Sequence, residues 1–131
     1  MITRDILLIE DRMADAKLIQ LSLKRYGFEG ELLHVTRGFD GLKAMASWKD
    51  RQPIVLLDLN LPGLSGHEVL REIRTNDEMK DVPVFIMTSS RDPQDFDESI
   101  ENEANWFFTK PSQIEGYCEI WNRIETFAAG K

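Results

Sequence analysis

With 131 residues and a formal net charge of −7, the chain has the size of one domain, and roughly two thirds of its unfolded surface is buried on folding without any staple. A lone Cys118 excludes a disulfide framework, and with only His34 and His67 beside it the composition argues against structural zinc. No apolar run approaches the ~18 residues of a membrane span, Arg4 and Asp5 interrupt any signal-like start, and nucleic acid would demand a basic face, so a soluble cytoplasmic protein that suits magnesium or a basic partner is expected.

In chain order, the apolar run 6–9 predicts a strand and ends in Glu10-Asp11. Residues 13–26 carry Ala16, Leu18, Ile19, Leu21 and Leu23 and stop at Gly27, which predicts a helix closed by a glycine. Residues 31–35 read as a short second strand, and 39–48, with Leu42, Ala44, Met45 and Ala46, as a poorly capped helix. The run 54–57 ends in Asp58, and 65–74 places Val69, Leu70 and Ile73 at helical spacing. The run 82–87 ends in Thr88-Ser89, and 92–102 is a weak acidic helix with Phe96 and Ile100. Residues 106–108 are aromatic throughout and end in Thr109-Lys110. The stretch 113–127 shows an amphipathic stripe of Ile114, Tyr117, Trp121 and Ile124. Strand and helix thus alternate five times, which predicts an α/β domain over residues 1–131: a parallel sheet with right-handed crossovers and helices on both faces.

Short runs rich in Ile, Val and Phe read as strands buried on both faces, and ligands of such sheets bind outside the carboxyl ends of the strands. If four of the runs are parallel neighbours, Glu10, Asp11, Asp58, Thr88 and Lys110 converge on one crevice. Two carboxylates ~4 Å apart repel by roughly 1 to 4 kcal/mol, so the cluster calls for a cation. Oxygen donors select a hard ion, and Mg²⁺ takes one or two carboxylates while leaving room for phosphate oxygens. Each residue alone has an ordinary role as well: Asp11 as a helix cap, Thr88 as a strand end or N-cap, Lys110 as a turn lysine. Other motifs fail. Gly63-Leu64-Ser65-Gly66 lacks the spacing of a nucleophile elbow, and His67-Glu68-Val69-Leu70-Arg71 has Arg where a metalloprotease helix needs its second His. No Gly-rich nucleotide loop is present, and His67 reads as an exposed residue at a helix start.

The loop Asp58-Leu59-Asn60-Leu61-Pro62-Gly63-Leu64-Ser65-Gly66 fits D-x-x-[LM]-P-x-[LM]-[DS]-G at every fixed position. With the acidic pair Glu10-Asp11, Thr88 after the fourth strand and Lys110-Pro111 after the fifth, the chain resembles the receiver domain of two-component response regulators over essentially its whole length. The resemblance implies a flavodoxin-like, doubly wound five-stranded sheet of order 2-1-3-4-5 with five helices. It implies that a sensor histidine kinase phosphorylates Asp58 as an aspartyl phosphate. Mg²⁺ would then be held by Glu10, Asp11, Asp58 and the Asn60 backbone carbonyl. Thr88 would bond the phosphoryl group, Lys110 would pair with it, and Phe107 would be a switch aromatic that works by packing alone. A cis Lys110-Pro111 peptide is also implied, as is a protein that is no enzyme beyond assisting its own phosphorylation and dephosphorylation.

The wording Asn60-Leu61-Pro62 and Gly41-Leu42-Lys43-Ala44-Met45 looks like the stand-alone subgroup paired with bacterial phytochromes, without an output domain. Two other classes stay open: an aspartyl-nucleophile phosphohydrolase, which would want an acid/base where Asn60 stands, and a non-phosphorylated interaction module. Trp106 departs from the family pattern. Seven of the twelve aromatics fall at or after Phe96. They lean toward an apolar face on the fifth strand and last helix, and toward a homodimer through it, although core is the leading reading for Tyr117 and Trp121 themselves.

Overall fold

The computed structural model describes residues 1–129. Five parallel strands, β1 (Ile6–Ile9), β2 (Leu32–Val35), β3 (Ile54–Leu57), β4 (Val84–Thr88) and β5 (Trp106–Thr109), form one sheet of order β2-β1-β3-β4-β5. Five helices alternate with them: α1 (Met13–Tyr26), α2 (Gly38–Trp48), α3 (Gly66–Thr75), α4 (Pro93–Glu101) and α5 (Tyr117–Ala129). The expected order and element count are both present.

The two-residue period of each strand divides the core. Ile6, Leu8, Ile54, Leu56, Phe85 and Met87 face one way, onto Ile19 and Leu23 of α1 and Tyr117, Trp121 and Ile124 of α5. Leu7, Ile9, Val55, Leu57, Val84 and Ile86 face the other way, onto Met45 of α2 and Val69, Leu70 and Ile73 of α3. A strand buried on both faces has no polar side to show, which is why its sequence is a continuous apolar run rather than an alternation.

Local chemistry sets the helix ends. Gly27 takes φ 105° and its N–H closes α1 on Leu23 and Lys24 carbonyls, a left-handed position that a side chain would strain. Ser65 and Glu68 form a reciprocal capping box at α3, and Asp92 with Pro93 starts α4. Gly66 has a different reason: a Cβ there would lie 2.2 Å from the Asp58 carbonyl oxygen. Only glycine lets α3 begin against the tip of β3.

The last helix bears out the core reading of its two large aromatics and removes them from the expected dimer face. Tyr117 and Trp121 are buried, stacked on each other with centroids 5.6 Å apart, and Trp121 Nε1 donates to Ser22 Oγ at 2.9 Å. They face α1 and the sheet because the apolar stripe of α5 has no other surface to cover. They belong to the core and offer nothing to a partner. One expectation is corrected: no cis peptide occurs among the described residues; Lys110-Pro111 is trans, the form that X–Pro bonds favour by about 0.5–1 kcal/mol.

Candidate functional site

The register Ile9↔Leu57 sets the tips of β1 and β3 side by side, and Asp58 N–H donates to the Ile9 carbonyl at 3.1 Å. The carboxylates of Glu10 and Asp58 are therefore forced together at 1% and 3% exposure. One oxygen each of Glu10, Asp11 and Asp58 lies within 4.8 Å of the others. Arg12 N–H donates to Glu10 Oε2 at 3.1 Å, and Asn60 N–H to Asp58 Oδ1 at 3.3 Å. Among the described residues Asp11 Oδ1 is buried without a hydrogen-bond partner. A buried, unpaired carboxylate oxygen is costly, and a hard cation with oxygen ligands is what satisfies it. The three carboxylates thus fit a divalent cation.

Lys110 enters from the end of β5. Its backbone N–H donates to the Thr88 carbonyl at 2.8 Å, which ties the ends of β4 and β5 together. Its side chain, 5% exposed, brings Nζ to 2.6 Å from Glu10 Oε1, 2.8 Å from Asp15 Oδ2 and 3.1 Å from Asp58 Oδ2. Burial by itself would push this ammonium down, but its hydrogen bonds to Asp15 and Glu10 and the Asp58 charge outweigh it and leave it raised. Burial pushes the Glu10 carboxyl up to about 7, against the opposing hydrogen bond from Lys110 and with the help of the Asp58 charge.

Thr88 is fully buried at the tip of β4, and its Oγ1 accepts from Ser90 N–H at 3.3 Å. Phe107 is half-buried and meets Phe96 edge-on at 5.6 Å. Trp106, 44% exposed, meets the same Phe96 ring at 5.9 Å. All of Glu10, Asp11, Asp58, Asn60, Thr88 and Lys110 thus gather at the strand tips, while Phe107 lies further back along β5.

Two features escaped the sequence. Asp15 holds Lys110 from the first turn of α1; an acidic residue so soon after the Glu10-Asp11 pair is the one signal in the sequence that points toward it. His67 is not an exposed residue: its side chain is 13% exposed and its Nε2 bonds Asp95 Oδ1 at 3.1 Å, while Asp95 Oδ2 accepts from Ser90 Oγ–H. Packing of α3 against α4 closes over it, which no property of the helix start announces.

The family model of the response regulator receiver domain matches residues 6–121. The chain belongs to the response regulator receiver family. Its sequence is 37% identical to response regulator Rcp1 of Synechocystis sp. over 130 residues, covering 93% of this chain and 86% of that one. Among solved structures, this receiver is similar to the Mn(2+)-bound form of response regulator Rcp1, with TM-score 0.80, 32% identity and coverage of 95% and 93% of the two chains. It is also similar to a phosphorylated cyanobacterial phytochrome response regulator, RcpA, with TM-score 0.78, 31% identity and the same coverage. No described helix of the receiver is long and apolar enough to cross a membrane.

Proposed function

We propose that this receiver accepts a phosphoryl group on Asp58 from the phosphohistidine of a sensor histidine kinase, with Mg²⁺ held by Glu10, Asp11, Asp58 and the backbone carbonyl of Asn60. The observation that carries the reading is the buried Asp58 carboxylate, 3.1 Å from Lys110 Nζ and clustered with the carboxylate of Asp11, whose Oδ1 has no hydrogen-bond partner among the described residues. A Mn(2+)-bound relative and a phosphorylated relative of the same fold support it.

Phosphoryl transfer is mostly positioning and charge neutralisation. An Asp58 oxygen attacks phosphorus, the phosphorus–nitrogen bond of the donor breaks, and an acyl phosphate forms. When bound, Mg²⁺ supplies charge neutralisation for the phosphoryl oxygens. Lys110 supplies the second positive charge, its Nζ lying 3.1 Å from Asp58 Oδ2. Thr88 turns its hydroxyl from Ser90 N–H toward a phosphoryl oxygen, and the half-buried Phe107 repacks behind it, which alters the surface from β4 to α5.

A relative whose name ties it to a phytochrome, RcpA, supports a bacterial phytochrome as the kinase, and we propose the cytoplasm as the setting. We further propose a homodimer through β5 and α5. The contact set is the exposed Trp106 and the adjoining groove of about 300 Å³ lined by Phe85, Phe108, Asn122 and Phe127; Tyr117 and Trp121 take no part.

Acetyl phosphate with Mg²⁺ tests the core of the proposal. One acid-stable, base-labile phosphoryl group is expected per chain, absent from Asp58→Asn. Equal labelling of Asp58→Asn would falsify the assignment.

A further inference from the structure

The lysine of this site has three carboxylate partners, and two of them are wanted elsewhere. Glu10 and Asp58 accept from Lys110 Nζ, and the same two residues contribute oxygens to the three-carboxylate cluster. A divalent cation in that cluster competes with the ammonium for their lone pairs and repels it at close range. The ammonium has little access to water, since its side chain is 5% exposed, and a buried charge left without a partner is strongly disfavoured. Asp15 lies outside the cluster. Its Oδ2 is 2.8 Å from Lys110 Nζ, and its other charged neighbour, Arg12 Nε at 3.6 Å, lies on the exposed side, where a pair contributes little.

We propose that Asp15 is a positioning residue that retains Lys110 in the pocket when a divalent cation takes Glu10 and Asp58. Cation and ammonium then flank Asp58 together, the arrangement that phosphoryl transfer to it requires. This rests on the metal reading of the same site. It makes cation affinity depend on Asp15 through Lys110. A carboxylate that merely adds to the negative field would act whether or not the lysine is present.

A double-mutant cycle separates the two. Binding of Mn²⁺ alone is followed by electron paramagnetic resonance of the free ion in the full chain, in Asp15→Asn, in Lys110→Gln and in the double variant. With Lys110 present, Asp15→Asn should weaken Mn²⁺ binding about tenfold, the scale of one charge-assisted hydrogen bond. In the Lys110→Gln background the same change should cost less than about twofold, the residue of a screened through-space charge. Equal factors in the two backgrounds overturn the proposal, and so does an unchanged affinity of Asp15→Asn. Should Lys110→Gln fail to fold, the ammonium is read directly by nitrogen-15 NMR. Its protected Nζ–H signal should persist in saturating Mg²⁺ in the wild type and vanish in Asp15→Asn; persistence in both overturns the proposal. Asp11→Asn in the Mn²⁺ assay keeps the two readings apart. If it binds Mn²⁺ undiminished, the metal site itself is wrong. If it weakens binding while the cycle shows no coupling, only the role of Asp15 falls.

Discussion

Asp11 is the residue at which the site's energetics are most exposed to test. Its Oδ1 is buried without a hydrogen-bond partner among the described residues, beside two further carboxylates, so the metal-free protein carries a repulsion that a cation relieves. Asp11→Asn should weaken Mg²⁺ binding at least tenfold, about 1.4 kcal/mol, while leaving the melting temperature of the metal-free protein equal or higher. Calorimetric titration and thermal melts check both. A clear loss of metal-free stability would mean that Asp11 has a structural partner. Asp95 behaves in the opposite way. Hydrogen bonds from Ser90 and then His67 hold its carboxyl below the usual range, so its ionised form stabilises the fold. A depressed pKa gives stability that is present above the ordinary Asp value of about 4 and is lost as pH falls through the native value. Asp95→Asn should cost about 1 kcal/mol at neutral pH, and the gap to wild type should close toward strongly acid pH. Denaturant titrations across that range measure it.

Among the elements, β5 and α5 carry aromatics of opposite character. Trp121 is fully buried and hydrogen-bonded to Ser22, so Trp121→Ala should destabilise by about 3–5 kcal/mol. Trp106 keeps 44% of its surface in water and should cost less than about 1 kcal/mol when truncated. If the proposed dimer forms through β5, Trp106→Ala should weaken self-association with little loss of stability. Sedimentation at micromolar concentration, with and without a phosphoryl mimic, decides it, and a monomer under both conditions would remove the dimer. The junction of β3 and α3 has the tightest geometry. Gly66→Ala drives a methyl into the Asp58 carbonyl, a clash with backbone that cannot rotate away. A loss of about 3 kcal/mol is expected, together with reduced labelling by acetyl phosphate, because the strand tip carrying Asp58 must shift.

Across the whole molecule, two apolar layers on either side of one sheet fix where the strand tips lie, and the tips assemble the site. The strands were legible because burial on both faces leaves an unbroken apolar run, and the helices because their stripes repeat with the helical period. Glu10, Asp11, Asp58, Thr88 and Lys110 were legible because each directly follows such a run, so their convergence needed only parallel, neighbouring strands. Those are facts of local sequence, and a chain of this kind can fold in few ways. The partners of these residues were not legible. Whether Asp15 meets Lys110, whether His67 faces water or Asp95, and whether Trp121 or Trp106 is core all depend on how a helix is rotated against its neighbours. Periodicity names the apolar face of a helix, but it does not say which polar residue at the edge of that face meets a charge from an element 95 positions away in the chain. That choice is made when the layers pack.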